Sequence, residues 1–335
     1  MARATVVKGY LKNKKTVVPV SDEKIEKEEE SKDPNSELKK TFGTGIAIGK
    51  ANVKWDDIAG LEKVKDVLKD VLKEALILPY KFPQLYADHI YIRPWRGILL
   101  YGPPGTGKRF LAEACAAEVQ VTLFLMKSSD LMTKLFDESE RLIRSLFEMA
   151  RASAPAVIFI DEIDILDRSY PSNDGHSLRG LWSEFFIQMN KMYGCSRRVL
   201  VLAATNKPWE LCCQMRKKFE RRVYIPLPEK SARKKMFELH LSDTPSSLTE
   251  EDLEILAEYT EGYSGFDISS LIKDALMKPI RKCQAATRFI VTEEGYYMPT
   301  ASSDPRGQFF TMSTLPDPTK LIPPLISLVK LNTKS

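Results

Sequence analysis

The 335-residue sequence predicts an α/β fold, in which a parallel sheet is covered by helices on both faces and is followed by a smaller helical domain. Two observations lead to this prediction. Short apolar runs of strand length alternate with helical patterns in the middle of the chain, and such alternation is typical of a parallel sheet. After Pro228 the strand-like runs stop and helical periodicity dominates.

Composition indicates a globular protein of the cell interior. Hydrophobic residues make up 43% of the chain and charged residues 28%, which excludes a fibrous repeat and a wholly disordered chain. The longest uncharged run has eleven residues, Gly97 to Gly107, whereas a membrane-spanning helix needs about 20. The first residues lack the apolar stretch of a secretory signal. We therefore expect a soluble, cytoplasmic protein.

Charge and cysteine usage exclude further classes. The net charge of +5 comes from 50 Lys and Arg against 45 Asp and Glu, an excess too small to require a nucleic-acid partner. The five cysteines form no CxxC pair, which argues against a disulfide framework. The three histidines lie far apart in the sequence, so a His-rich metal site is not expected.

Residues 1–50 are expected to be a disordered, charged linker. Ser21–Lys40 contains eight acidic residues and five lysines, with almost no apolar residue to bury. The alternative for this segment is a short helix used for docking.

Residues 51–228 are predicted to form the larger, α/β domain. Asp57–Gly60 has the composition of a turn, and apolar residues from Leu61 to Leu76 recur at helical spacing, which predicts an amphipathic helix ending near Pro79. The strand-like runs that follow are Gly97–Leu100, Thr122–Met126, Val157–Ile160, Val199–Ala203 and Arg222–Ile225.

Residues 229–335 are predicted to form the smaller helical domain. Between Phe289 and Met312, aromatic and β-branched residues flank turns rich in Pro, Gly and Ser, which favours a β-hairpin. A C-terminal helix is expected after it. The predicted helices before the hairpin are Ser231–Leu239, Glu250–Thr260 and Asp267–Gln284.

One glycine-rich segment has the composition and the context of a phosphate-binding loop. It follows the first strand-like run and precedes a helix that begins at Phe110. Glycines let successive backbone N–H groups turn toward the phosphates, and the helix N-terminus adds its positive end. The lysine that closes the loop is expected to reach the β and γ oxygens. The loop residues are Gly102, Pro103, Pro104, Gly105, Thr106, Gly107 and Lys108.

The residue after this lysine departs from the usual pattern. A Ser or Thr there would place its hydroxyl on Mg²⁺, but this chain has Arg109. A guanidinium cannot ligate a cation, and it would repel the metal unless the side chain turns away. Hydrolysis is therefore less strongly indicated than nucleotide binding.

Polar side chains follow two later strand-like runs. Asp161 and Glu162 come directly after Val157–Ile160, at the end where a parallel sheet presents its ligands. Asp161 is expected to hold Mg²⁺, usually through water, and Glu162 to polarise the attacking water. Asn206, after the run that ends at Ala203, is expected to orient this water or to contact the γ-phosphate. The sequence thus predicts ATP and Mg²⁺ as ligands.

With these motifs in place, the sequence from about Asn52 to Gln284 resembles the AAA ATPases, a P-loop family with a parallel-sheet nucleotide domain and a small helical lid. The entry motif is Trp55-Asp56-Asp57-Ile58-Ala59-Gly60, and the lid carries Tyr263-Ser264-Gly265-Phe266-Asp267-Ile268. The resemblance implies nucleotide contacts at Ile58, Gly60 and Gly265. It also implies a hexameric ring, with nucleotide at the subunit boundaries and a polypeptide threaded through a central pore.

Within the family, the sequence is most similar to the meiotic clade and its vacuolar protein sorting 4 type, which takes apart ESCRT-III polymers. Segments specific to this subgroup include Ile77-Leu78-Pro79 and Thr205-Asn206-Lys207-Pro208-Trp209. The resemblance implies an ESCRT-III-like polypeptide substrate. It also implies peripheral association with endosomal membranes through partners only.

Three further departures separate this chain from that type. Where the family places arginines that reach the neighbouring subunit's γ-phosphate, the chain has Lys217 and Lys218, flanked by Arg216 and Arg221, which could compensate in part. The pore segment reads Lys134, Leu135, Phe136, with Leu at the expected Trp position. Residues 1–49 are too short and too charged for the three-helix MIT module that binds ESCRT-III tails.

These departures leave two alternatives to an ATP-driven motor. The first is a nucleotide-binding regulatory subunit of a mixed ring that hydrolyses ATP poorly, which Arg109, Lys217 and Lys218 favour. The second is a microtubule-severing ATPase, which shares the motor but would want a strongly basic N-terminal arm. Asp161 and Glu162 favour an active enzyme, because an inactive site has no chemical need for a general base.

Overall fold

The computed structural model places residues in two compact units, with the boundary between Leu227 and Pro228. The ranges it describes are 47–49, 53–87, 93–132, 136–168, 176–193, 198–242, 248–292, 295–300 and 307–310. No helix in these ranges is both long enough and apolar enough to span a bilayer.

The larger unit is built on a six-stranded sheet in the order β1-β3-β4-β5-β2-β6. All neighbours are parallel except β1 and β3, which are antiparallel. The parallel part confirms the predicted sheet; four of its strands extend the predicted apolar runs by one or two residues, and β6 begins and ends one residue earlier than predicted. The strands are β1 Ala47–Gly49, β2 Gly97–Tyr101, β3 Thr122–Lys127, β4 Ala156–Asp161, β5 Val199–Thr205 and β6 Arg221–Tyr224.

Strand β1 falls inside residues 1–50, where the sequence predicted only a linker. Ala47 lies opposite Leu125 of β3, so the end of this segment belongs to the sheet. The charged run that motivated the linker ends at Lys40, and the residues from Thr41 to Gly49 carry no charge. The rest of the predicted linker lies outside the described residues.

Helices pack on both faces of the sheet, because successive side chains of each strand point to opposite faces and both faces are apolar. Leu99 and Ile158 contribute to a core with α6 and α8, whereas Ile98 and Val157 contribute to a core with α1 and α4. The helices of this unit are α1 Glu62–Leu72, α2 Leu78–Lys81, α3 Pro83–Ala87, α4 Lys108–Glu118, α5 Ser128–Met132, α6 Phe136–Ala152, α7 Ile163–Arg168, α8 His176–Tyr193 and α9 Cys213–Lys218.

The first amphipathic helix ends near Pro79, as the sequence predicted, but it is not a single α-helix. One π-helical stretch, Lys73–Ile77, joins α1 to α2, and the helical path ends at Lys81. Pro79 lies in the first turn of α2, where a missing backbone N–H costs little because such groups have no partner within the helix.

In its described residues, the smaller unit contains three helices and a three-stranded antiparallel sheet in the order β8-β7-β9. Capping boxes at Thr249 and Ser264 define where α11 and α12 begin. Its apolar core includes Phe237, Leu256 and Ile272. The elements are α10 Lys230–Leu241, α11 Glu250–Tyr259, α12 Gly265–Ala285, β7 Arg288–Val291, β8 Tyr297–Pro299 and β9 Gln308–Phe309.

Strands β7 and β8 form an antiparallel pair in the region where a hairpin was expected. The expected C-terminal helix lies outside the described residues.

Candidate active site

Three segments that the sequence singled out meet at one edge of the large sheet. Strand β5 lies between β4 and β2, so the carboxyl ends of the three strands are adjacent. Tyr101 of β2 is in register with Thr205 of β5, and Ile160 of β4 with Ala203. The phosphate loop after β2, the acids after β4 and Asn206 after β5 therefore share one edge, where parallel sheets bind ligands.

The phosphate loop requires glycine at both of its ends. A Cβ on Gly102 would lie 2.1 Å from the carbonyl oxygen of Ile225, and its φ is +152°. Gly107 has a φ of +84° and immediately precedes α4, so it turns the backbone into the helix. The loop therefore packs directly against the end of β6 at one end and opens onto a helix N-terminus at the other.

Lys108 is buried, and its ammonium is held by the loop itself. Nζ donates to the carbonyl oxygens of Pro103, at 2.7 Å, and of Gly102, at 3.0 Å, and lies 3.3 Å from Oγ1 of Thr106. Burial lowers the pKa of Lys108 to about 8, and the negative charge of Asp161 acts in the opposite direction. The carboxylate of Asp161 thus favours the charged form of the ammonium that is expected to bind phosphate oxygens.

Arg109 turns along α4. Its Nε lies 2.9 Å from Oε1 of Glu113, one helical turn further on, and the side chain is half exposed. The guanidinium is therefore paired with a carboxylate. The sequence predicts that an arginine here repels a metal ion unless its side chain turns away, and this pairing draws the side chain along the helix.

The two acids after β4 adopt a distinctive backbone. The N–H of Glu162 donates to Oδ1 of Asp161 at 3.0 Å, and Glu162 has a φ of +55°, a left-handed conformation that costs a non-glycine residue about 1 kcal/mol or more. Both side chains are only partly buried. The local backbone therefore keeps both carboxylates at the sheet edge, where a ligand can reach them.

The residues fit Mg²⁺ with a single protein carboxylate. Asp161 has a second carboxylate oxygen beside the one that accepts from Glu162, whereas position 109 offers no oxygen. The remaining ligands of an octahedral ion would be phosphate oxygens and water.

Asn206 follows β5, and its side chain carries a buried hydrogen-bond acceptor. Its side-chain oxygen Oδ1 is buried and has no hydrogen-bond partner among the described residues. A buried acceptor of this kind normally binds a donor, often water. Asn206 is thus suited to hold a water molecule between the phosphate loop and Asp161.

The residues expected to reach a neighbouring subunit's γ-phosphate, called finger residues below, lie at and after the end of α9. Their side chains differ in exposure and in contacts. Lys218 bonds Oδ1 of Asn190 and lies over the ring of Phe186, whereas Lys217 is exposed. The guanidinium of Arg221 lies 5.6 Å from the ring centre of Trp95. A cavity of about 320 Å³ is lined by Cys213, Arg216, Lys217, Phe219, Glu220 and Arg222.

The remaining predicted site residues are spread over the chain. The carbonyl oxygen of Ile58 accepts from Nζ of the buried Lys65 at 2.7 Å, and Gly60 has a φ of +66°. Gly265 is the first residue of α12, in the smaller unit. Lys134 and Leu135 lie outside the described residues, and Phe136 is the first residue of α6.

Sequence reasoning missed a buried polar network behind this edge. Oγ1 of Thr205 donates to Oδ1 of Asp164 at 2.7 Å. Asp167, one turn further along α7, accepts from the indole N–H of Trp182 at 3.1 Å and from the N–H of Cys212. Two acids three residues apart in a short helix after a buried strand were the available signal, because one helix face then carries both carboxylates.

Comparisons with known proteins identify the family of this chain. The model of the ATPase family associated with various cellular activities (AAA) matches residues 98–227, and that of the AAA+ lid domain matches residues 250–293. Vacuolar protein sorting-associated protein 4 of Dictyostelium discoideum is 42% identical, over 98% of this chain and 78% of that protein.

Two solved structures are also similar. The FIGL-1 AAA domain in complex with ADP is 38% identical with a TM-score of 0.62, over 71% of this chain and 77% of that one. A structure that describes katanin self-assembly is 36% identical with a TM-score of 0.62, over 86% and 85% of the two chains. The chain therefore belongs to the AAA ATPases, a family of ATP hydrolases.

Proposed function

We propose that this ATPase uses ATP hydrolysis to take apart or remodel an ESCRT-III-type protein polymer in membrane trafficking. The observation that carries the proposal is the common sheet edge of Lys108, Glu162 and Asn206, in a chain 42% identical to a vacuolar protein sorting-associated protein 4. By analogy with that relative, the protein acts in the cytoplasm, at endosomal membranes that it reaches through partners.

Each residue of the edge has a role in this proposal. Backbone N–H groups of residues 105–107 and the ammonium of Lys108 bind the phosphates, while Ile58 and Gly60 contact the rest of the nucleotide. Asp161 would hold Mg²⁺ together with the phosphates, and the ion would supply neutralisation of the charge on the triphosphate. Glu162 takes a proton from the attacking water, which Asn206 orients.

The motor works as a ring, a hexamer of this chain or a mixed assembly. Lys217 is the better candidate to reach a neighbour's nucleotide, because Lys218 is held by Asn190 and Phe186. Lys keeps the positive charge of an arginine finger but lacks its planar fork, so it stabilises the transition state across the subunit boundary more weakly. The segment Lys134, Leu135, Phe136 grips the polypeptide in the pore.

One observation favours a second function, that of a regulatory subunit which binds nucleotide and hydrolyses it poorly. The position after Lys108 supplies no hydroxyl for Mg²⁺, because it is occupied by Arg109, whose side chain is paired with Glu113. Such a subunit would stabilise mixed rings by binding ATP, without turning it over. Microtubule severing is a third candidate function, which is tested below because the chain is similar to FIGL-1 and katanin structures.

The variant Glu162→Gln tests the proposal, because the amide keeps the shape of the side chain and removes the base. We expect an unchanged affinity for ATP, phosphate release slowed by about 10²- to 10⁴-fold, and an ATP-dependent ring on gel filtration. Glu251→Gln, an exposed residue of the first turn of α11, makes the same chemical change away from the site and should leave turnover intact.

A sedimentation assay then separates the functions. The wild-type protein with ATP should release subunits from a preformed ESCRT-III-type polymer into the supernatant, and Glu162→Gln should not. A wild-type protein that binds ATP but turns it over no faster than Glu162→Gln would establish the regulatory subunit instead. Release of tubulin from stabilised microtubules, with no effect on the ESCRT-III-type polymer, would establish severing.

A further inference from the structure

Thr205, the last residue of β5, connects three parts of the site. It is 1% exposed. Its carbonyl oxygen accepts from the N–H of Gly102 at 3.4 Å, and its hydroxyl contacts Oδ1 of Asp164 at 2.7 Å and the N–H of Lys207 at 3.0 Å. The phosphate loop, helix α7 and the residues around Asn206 thus meet at one residue, the loop through its backbone and the other two through its hydroxyl.

The direction of these hydrogen bonds is fixed by chemistry. The N–H of Lys207 can only donate, so it occupies a lone pair of the Thr205 hydroxyl oxygen. The single hydroxyl proton is then available for Asp164, whose Oδ1 must accept it. Asp164 is itself 6% exposed, and in the buried environment of this pair such a bond is strong.

The pair links the two chemical halves of the site. Asp164 is the second residue of α7, two positions after Glu162. On the other side, the bond from Lys207 N–H to the Thr205 hydroxyl closes a turn around Asn206, whose Oδ1 is buried and unpartnered among the described residues. The hydroxyl therefore ties the backbone that carries the base to the backbone that carries Asn206.

We infer that Asp164 and Thr205 are positioning residues that hold Asn206 in line with Glu162, and that they act on turnover only through Asn206. This inference rests on the proposed role of Asn206 in ATP hydrolysis. Neither residue needs to touch the nucleotide. A shift of about 1 Å at a water-orienting group lowers rates by up to about 10²-fold, so a loosened Asn206 should cost turnover rather than binding.

Thr205→Val tests the inference, because valine keeps the shape and removes the hydroxyl. In the full chain we expect kcat to fall about 10- to 100-fold, while the dissociation constant for a fluorescent ATP analogue changes less than about twofold. Thr205→Ser restores the hydroxyl and should recover most of kcat. Asp164→Asn retains an acceptor oxygen and should be milder than Asp164→Ala.

Thr260→Val is the matched control for loss of a buried hydroxyl. Thr260 is 4% exposed, and its hydroxyl donates to the carbonyl oxygen of Leu256 at 2.8 Å, in the smaller unit. It should lower the melting temperature about as much as Thr205→Val, with kcat unchanged. If the two variants lose equal stability and equal activity, Thr205 has a structural role only and the inference is wrong.

The double variant Thr205→Val with Asn206→Ala gives the decisive reading. If Thr205 acts through Asn206, kcat of the double variant should equal that of Asn206→Ala alone. Multiplicative losses would overturn the inference while leaving the proposed function in place, since Asn206 would still matter. If Asn206→Ala alone leaves kcat intact, the proposed role of Asn206 fails first, and the inference falls with it.

Discussion

Nε of Arg109 lies 2.9 Å from Oε1 of Glu113, so the charge that replaces a metal-ligating hydroxyl is paired with a carboxylate on its own helix. Half of the arginine side chain remains exposed, so the pair contributes little to stability. Its effect is on direction, because it draws the guanidinium along α4. The missing oxygen, rather than an added repulsion, is then the main consequence of this substitution for Mg²⁺.

Arg109→Thr should therefore increase the affinity for Mg²⁺. A hydroxyl at this position adds one ligand, and we expect the Mg²⁺ concentration for half-maximal ATP turnover to fall about fivefold, equivalent to about 1 kcal/mol. Titration of Mg²⁺ at fixed ATP measures it. Arg109→Ala removes the guanidinium without adding an oxygen and should leave the midpoint unchanged. Equal shifts in both variants would mean that charge, not the hydroxyl, controls the metal.

Nucleotide affinity should depend on pH through Lys108. Burial lowers the pKa of its ammonium to about 8, so the group is charged below pH 8 and neutral above it in the free protein. Bound phosphates favour the charged form, so binding above pH 8 takes up a proton and affinity falls, by at most about tenfold per pH unit. Fluorescent-nucleotide titrations between pH 7 and 9.5 measure this.

Lys108→Ala is the control for this pH dependence. Without the ammonium, affinity at pH 7 should fall by about 10- to 100-fold, as expected for losing charge-assisted hydrogen bonds of about 1.5–3 kcal/mol. The remaining affinity should not change between pH 7.5 and 9.5. A wild-type affinity that stays constant over this range would contradict the role of Lys108.

Lys217→Ala should reduce turnover in trans. Lys217 is exposed beside a cavity that it shares with Arg216 and Arg222. We expect ATP affinity to be unchanged and turnover to fall about tenfold or more, because a finger acts on the neighbour's phosphates. Mixing Lys217→Ala with Glu162→Gln subunits should recover activity, since each supplies what the other lacks.

Lys218→Ala is the comparison for this mixing experiment. Its side chain is held by Asn190 and Phe186, so the variant should lose stability and should not need a complementing partner for turnover. Recovery of activity only in mixtures that contain Lys218→Ala would assign the finger to Lys218 instead.

Gly102→Ala should destabilise the large unit more than Gly107→Ala. A Cβ at Gly102 would lie 2.1 Å from the carbonyl oxygen of Ile225, a clash with backbone that costs on the order of 3 kcal/mol. A Cβ at Gly107 meets no atom within 4 Å, so only its left-handed φ adds a cost, about 1–2 kcal/mol. Thermal denaturation without nucleotide compares them, and equal losses would contradict the packing argument.

The sequence was informative where function depends on neighbouring residues. The phosphate loop lies within seven consecutive residues, and Asp161 directly follows an apolar run, so each could be recognised locally. The parallel sheet then explains why they meet, because strand ends collect at one edge.

What the sequence left undetermined depends on contacts between distant residues or on side-chain direction. Asp164 and Thr205 are 41 residues apart, and only the pairing of β4 with β5 brings them together. The direction in which the Arg109 side chain points depends on Glu113, which lies outside the phosphate-loop motif. Strand β1 has three residues and is too short to show a periodicity.

The strand order also dictates when this site can form as the chain is synthesised. Strand β2, which carries the phosphate loop, is bonded to β5 on one side and to β6 on the other. Both neighbours are translated long after it, and pairings between such distant segments form slowly. A nascent chain that stops before Val199 holds its phosphate loop on a strand without either neighbour, so ATP can protect the large unit from proteases only once β5 and β6 have left the ribosome.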